Sequence, residues 1–371
     1  MSAVTGRRFR PGSAVLFAAG FINIVTFGDL NMSLPPIVIL APGRVGDIIT
    51  AEPIFRQLHL AEPEREMIFI TRPPYADIMR ACPYIQKIIC KDTKEEIQAA
   101  KTEFPPDTRY IYINLDSGIE PPPQTPDRYP MDRLNFQQPS LLNQFQSANG
   151  LPETDDQPRF YLDESVLLPD ALPEKYVVFH CSSQGKSRQW HIERFRKLAE
   201  MCFARNMAVA EIGFAPVLNL DHPLYLPLCG NPDLHYTARI IRHAAALVGV
   251  ESGMLHIANA FDIPGFVLTG KLRDIPWYNH YCGNYRTGER VNLLRLYNGH
   301  PLELPLEPVK YALARFLDGN PMSRTECDLF CLKYQVDQLQ NKWYNRLAKA
   351  VTRPFLLIKE RQNFHRRARR R

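Results

Sequence analysis

Three short polar stretches hold the residues that could do chemistry. In the first, Pro42-Gly43-Arg44-Val45-Gly46-Asp47, two glycines let backbone N–H groups approach a ligand closely, and a carboxylate sits at the mouth of the turn. An apolar pattern of helical period follows, so the turn opens a helix whose positive N-terminal end suits a phosphate or a carboxylate. Taken alone, Asp47 also reads as a plain N-cap for a helix beginning at Ile48. The second stretch, Cys181-Ser182-Ser183-Gln184-Gly185-Lys186-Ser187-Arg188-Gln189-Trp190, offers hydroxyls, a glycine and two cations. Phosphate oxygens need such donors. Lys186 and Arg188 would hold a pyrophosphate and offset the negative charge that grows on it as a bond breaks. Alone, this segment is also an ordinary exposed polar loop. The third, Val250-Glu251-Ser252-Gly253-Met254-Leu255-His256, puts small residues at another strand-to-helix turn, with the helix N-terminus at Gly253 aimed at a ligand. Glu251 alone is unremarkable, and His256 alone reads as a core histidine satisfied by a backbone carbonyl.

The elements that must position these stretches alternate. Ile37–Ala41 is an apolar run suited to a buried parallel strand, and further strands are expected at Met67–Thr71, Lys87–Cys90 and Tyr110–Leu115, with a short helix at Tyr75–Ala81. From Gly118 to about Leu168 the pattern is less regular. It includes Pro121-Pro122-Pro123 and a helical stretch near Leu141–Phe145, and leads to a linker around Pro169–Pro173. Alternation resumes with strands at Tyr176–Phe179, Met207–Ile212, Ala246–Val250 and Gly265–Leu268, and helices at Ile192–Cys202, Tyr236–Ala244 and Gly253–Phe261. The chain is therefore expected to be α/β, with two doubly wound halves whose strand ends face a common cleft. Leu332, Val336, Leu339, Trp343 and Leu347 then mark one apolar face of a last helix, expected to pack on the body.

Composition agrees with a two-domain globular protein. The 371 residues are 45% apolar and 23% charged, which fits neither disorder nor a polytopic membrane protein. Eight scattered cysteines lack the density of a disulfide scaffold, so they read as reduced and cytosolic; Cys327 and Cys331, four apart, are at most half a metal site. The formal net charge of +6 lies in the tail: Lys359–Arg371 holds seven Lys or Arg and one Glu. Such a tail argues against a nucleic-acid-binding face on the body and favours an anionic surface, a membrane leaflet or a phosphorylated glycolipid; it also reads as a solvated tail without a partner. Arg7, Arg8 and Arg10 followed by an apolar run from Ala14 to Phe27 imitate a signal peptide or an anchor, but no small-x-small cleavage site follows. An over-extended start ahead of Met32 is the preferred reading.

Three segments together, GRVGDIITAEPIFRQL from Gly43, the K-x-R-Q-W-H-I-E-R-F-R-K-L-A run at Lys186–Ala199, and LVGVESGMLHIANAFDIPGFVLTG at Leu247–Gly270, resemble the signatures of glycosyltransferase family 9, which includes the ADP-heptose:lipopolysaccharide heptosyltransferases. The resemblance spans roughly Pro36 to Gly270. It implies a GT-B fold of two Rossmann-like domains across a cleft: a poorly defined extension at 1–31, an acceptor domain at 32–170, a nucleotide-sugar domain at 171–325, and a C-terminal helix and basic tail at 326–371, the last helix usually returning to the first domain. It makes Asp47 the base on the acceptor hydroxyl. Ser182, Ser183, Lys186, Arg188, Glu251, Ser252, Gly253 and His256 become donor-binding, behind a glycine loop of Gly43 and Gly46. The chain departs from the family at Arg188, where lysine is usual, and at Glu251, where aspartate is common; Glu211 is the candidate for the acidic nucleoside contact.

The implied reaction is an inverting transfer of a sugar, heptose by resemblance, from a nucleotide sugar such as ADP-heptose to a lipopolysaccharide-core or related glycan. No D-x-D motif occurs in the chain, so neither metal nor cofactor is expected. Cytoplasmic residence, peripheral on the inner face of the inner membrane through the basic tail, completes the expectation. The alternatives are a family member that binds a nucleotide sugar or glycan without transferring it, and a transferase using another nucleotide sugar.

Overall fold

A computed structural model of the chain describes residues 34–113, 140–169, 172–183, 185–270, 281–296, 299–334, 336–337 and 340–344. The arginine-flanked apolar run at the start, Pro121–Pro123, the Lys186 side chain, Leu339, Leu347 and the basic tail lie outside the described residues.

Near-continuous apolar residues mark the central strands Ile37–Ala41, Tyr176–His180 and Ala246–Val250, as expected where a sheet is covered on both faces. The first sheet contains β1 (Ile37–Ala41), β2 (Met67–Thr71), β3 (Lys87–Cys90) and β4 (Arg109–Tyr112) in the order β3-β2-β1-β4, with all pairs parallel. Helices α1 (Val45–Ala61), α2 (Lys94–Ala99) and α3 (Leu141–Ala148) accompany it, and where a short helix was expected at Tyr75–Ala81 the chain forms a 3₁₀ turn over Pro73–Met79. The second sheet contains β5 (Tyr176–His180), β6 (Ala208–Glu211), β7 (Tyr225–Pro227), β8 (Ala246–Val250), β9 (Gly265–Gly270) and β10 (Val291–Leu296) in the order β10-β9-β8-β5-β6-β7, again parallel throughout. Around it lie α4 (Ile192–Phe203), α5 (Leu234–Arg242), α6 (Gly253–Ala260), α7 (Gly283–Thr287) and α8 (Leu306–Leu317).

The strand order places the site. In the first sheet the chain runs outward from β1 and returns to β1's other side with β4; in the second it runs outward from β5 and returns with β8. These are the topological switch points at whose carboxyl ends open α/β sheets bind ligands. The loops after β1, β5 and β8 are the three polar stretches singled out above.

Side-chain alternation divides the cores. Ile37 and Ile39 of β1 join Tyr176 and Val178 of β5 in one cluster with Phe55, Leu247 and Ile257, so a single apolar core runs through both halves. Val38 and Leu40 point the other way, onto Ile97, while Val177 and Phe179 face Trp190, Phe195 and Leu198. Trp190 anchors that last cluster. It is 2% exposed, meets Phe195 edge-on at 4.9 Å and donates its indole N–H to Leu304 O at 2.9 Å. Trp190→Ala is expected to cost about 3–5 kcal/mol from the cavity alone, measured by denaturant unfolding.

The last helix departs from expectation. Residues 324–334 are helical, and Cys327 and Cys331 are buried beside Phe330 and Tyr334 in the outer core of the second sheet. Leu332, Val336 and Trp343, expected on the body, are 38%, 50% and 58% exposed. The packed face is offset by two residues from the predicted one. Tyr334 donates its hydroxyl to Glu303 O, which ties the described helix to the second half rather than to the first.

Candidate active site

Helix α1 starts at Val45, three residues ahead of the expected Ile48, so Asp47 lies inside its first turn and is not the N-cap. Its carboxylate accepts the Arg44 backbone N–H at 3.2 Å. Burial pushes the Asp47 carboxyl up to about 6; the Arg44 N–H and the Arg44 and Arg188 charges oppose the rise, and Glu251 adds to it. Solvent still reaches the residue, which is only partly buried. A carboxylate so placed is a stronger base than a surface aspartate and remains ionised at neutral pH.

The two glycines of this loop have separate jobs. Gly43 has φ +132°, and a Cβ there would lie 2.4 Å from the Tyr75 ring. Gly46 meets protein rather than an open ligand site: a Cβ would lie 2.7 Å from the imidazole of His256. Gly253, opening α6, lies equally close to Val45. The small residues therefore bring the N-termini of α1 and α6 together, one from each half. Across this seam Thr50 Oγ1 and His256 Nδ1 are 2.9 Å apart, and burial, aided by the Arg188 charge, pushes His256 down to about 3. His256 is neutral at any working pH, and its partner is a threonine hydroxyl, not the backbone carbonyl of an ordinary core histidine.

Glu251 ends the β8 turn with 4% exposure and pairs with Arg188 at 2.5 Å. Its second oxygen lies 3.9 Å from His256 Nε2. Burial raises the Glu251 pKa, and Arg188, Arg295 and Arg44 hold it down. Ser252 Oγ lies 2.9 Å from Nδ1 of His180, the last residue of β5, whose pKa burial pushes down to about 4. Arg188 sits in a 3₁₀ turn, Lys186–Arg188, and the Ser183 carbonyl is fixed by the Gln189 amide. Ser182 and Ser183 are half-buried in the same loop.

The structure thus brings Asp47, Arg188, Glu251 and His256 together, with Ser252 and Gly253 beside them and Ser182 and Ser183 on the adjoining loop. The Glu211 carboxylate accepts the N–H of Val217 at 2.9 Å, the N–H of Leu218 and the Tyr225 hydroxyl, and so clamps its own loop. Sequence reading missed Arg295, 5% exposed on β10, whose charge reaches Glu251 and Tyr281. An arginine inside the apolar run Val-Asn-Leu-Leu-Arg-Leu was the available signal. Among the described residues no three His, Cys, Asp or Glu side chains gather as metal ligands.

Two parallel, doubly wound sheets with facing switch points define a GT-B protein. Solved structures agree on the fold: E. coli heptosyltransferase WaaC with ADP matches with a TM-score of 0.55 at 15% identity, over 77% of this chain and 99% of its own. E. coli ADP-heptose lps heptosyltransferase II matches at 0.56 and 15%, over 76% and 99%, and a family 9 glycosyl transferase from Veillonella parvula at 0.52 and 14%, over 81% and 99%. No curated protein matches the chain by sequence. Residues 134–272 match the family model of glycosyltransferase family 9 (heptosyltransferase). The chain is similar to family 9 in that segment.

Proposed function

We propose that this protein is an inverting glycosyltransferase moving heptose from ADP-heptose to a lipopolysaccharide-core or related glycan, with Asp47 as general base. The observation that carries this reading is the meeting, across the α1–α6 seam, of a carboxylate poised near pH 6 with the Arg188–Glu251 pair. The half bearing the four-stranded sheet takes the acceptor, and the half bearing the six-stranded sheet takes the donor. Asp47 removes the acceptor hydroxyl proton as C–O bond formation begins. Arg188 and the N–H groups opening α6 receive the charge that grows on the leaving diphosphate. Glu251 does not consume Arg188: one guanidinium carries five N–H donors, and a single carboxylate leaves several for phosphate oxygens. The named ligands of the E. coli structures, ADP and ADP-2-deoxy-2-fluoro heptose for WaaC, supply the choice of donor.

The test is thermal-shift screening against nucleotides and nucleotide sugars. ADP or ADP-heptose is expected to raise Tm selectively. A shift with UDP, GDP or CMP compounds only would replace the donor, and none at all would replace transfer with a non-catalytic role. Because protein cations take the place of a divalent metal in this reading, transfer is expected to persist in EDTA. Loss of turnover in EDTA, restored by a divalent ion, would sink that assignment.

A further inference from the structure

The helix beginning at residue 324 is apolar on two opposite faces. One, with Cys327, Phe330, Cys331 and Tyr334, packs on the second sheet's outer core. The other carries Leu329, Leu332, Val336 and Trp343, which recur at intervals of three, four and seven residues and so lie on one line roughly opposite the packed face, at about 100° per residue. They are 61%, 38%, 50% and 58% exposed, and Tyr344 beside them is 64% exposed. Isolated surface apolar residues need no explanation; a contiguous stripe of this kind marks a contact surface.

We propose that this stripe docks on an anionic bilayer surface. Charge chooses the occupant. From Asn345 to Arg371 the sequence holds ten Lys or Arg against one Glu, directly after the stripe. A stripe that sinks into the headgroup region and a basic segment that neutralises anionic lipids are the two signals that together give stable peripheral attachment, where either alone is marginal. Trp343 and Tyr344 stand at the end of the stripe nearest the basic segment, and amphipathic rings of this kind prefer the membrane–water boundary. A second copy of the chain is the poorer occupant. Pairing two copies would gather two strongly basic segments against each other. No helix among the described residues is long and apolar enough to cross a membrane.

The test uses the full chain and vesicles of phosphatidylcholine with or without phosphatidylglycerol. Co-sedimentation is expected only with the anionic vesicles. The double variant Leu332→Glu, Val336→Glu is expected to lose tenfold or more of the partition coefficient at low salt, with Tm unchanged because both positions are exposed. Emission of the wild type, less that of Trp343→Phe, should shift to the blue on the anionic vesicles. Undiminished binding by the double variant, or equal binding to neutral vesicles, overturns the proposal. So does a wild type that ignores vesicles, and a dimer that the double variant dissociates would then name a second copy as the occupant. The readout is independent of ADP: a failed nucleotide shift removes the transferase reading and leaves this one standing.

Discussion

Asp47→Asn is expected to lower turnover by about two orders of magnitude or more, with donor affinity nearly unchanged, because the substitution keeps the shape and removes only the proton acceptor. The pH profile of the wild type supplies a second check. With Asp47 pushed up to about 6, kcat/KM should fall tenfold per unit on the acid side of pH 6. The same residue has a stability signature of opposite sign. Its folded pKa is raised above the unfolded value of 3.8, so the protonated carboxyl favours folding at low pH, and that contribution is lost as pH rises through about 6. At pH 8 the ionised group destabilises the fold, and after allowance for residual solvent access the cost is on the order of 1–2 kcal/mol. Asp47→Asn removes it. The variant should therefore melt a few degrees higher than the wild type at pH 8, with the advantage gone by pH 4. Unchanged turnover would remove Asp47 from the mechanism; a variant that is inactive and also less stable at pH 8 would point to a structural role instead.

The strands before the three polar loops were legible because each is a short apolar run cut off by glycine, proline or serine. Parallel pairing in β1, β5 and β8 puts their ends where ligands bind. What the sequence could not display was which contacts cross between the halves. Gly46 looks like a glycine for ligand approach, but its missing side chain makes room for His256, more than 200 residues away. Arg295 was hidden for a related reason: β10 was not anticipated, and a charge inside an apolar run has meaning only once Glu251 is seen nearby. The register of the last helix failed because its packed face uses Cys327, Cys331 and Tyr334, less conspicuous than the Leu, Val and Trp left outside. Glu211, the candidate for the acidic nucleoside contact, also holds two backbone N–H groups and a tyrosine of its own loop. In each case local periodicity identified the element, and a long-range partner decided the residue's job.

Arg188→Met should weaken both the fold and donor binding, and pH separates the two effects. Removing Arg188 leaves Glu251 buried with one cation fewer, although Arg295 still acts on it. Breaking one side of a buried pair costs about 3 kcal/mol or more at neutral pH, several degrees of Tm. The Glu251 pKa is already raised by burial, and without Arg188 it rises further. A raised carboxyl contributes stability at low pH that is lost as pH climbs through its folded pKa, so the deficit of Arg188→Met should be small near pH 5 and grow toward pH 8. Adding Glu251→Gln removes the charge that was left unpaired. The double variant should recover most of the stability and lose the pH dependence, the sign of a direct coupling in a double-mutant cycle. Donor affinity and turnover should not return with it, because no guanidinium remains at position 188 to meet the diphosphate. A deficit independent of pH would mean that Arg188 acts by packing, and recovery of donor binding in the double variant would move the phosphate site elsewhere along the cleft. The two outcomes test different claims, since the ion pair concerns the folded protein and the phosphate contact concerns only its complex with donor.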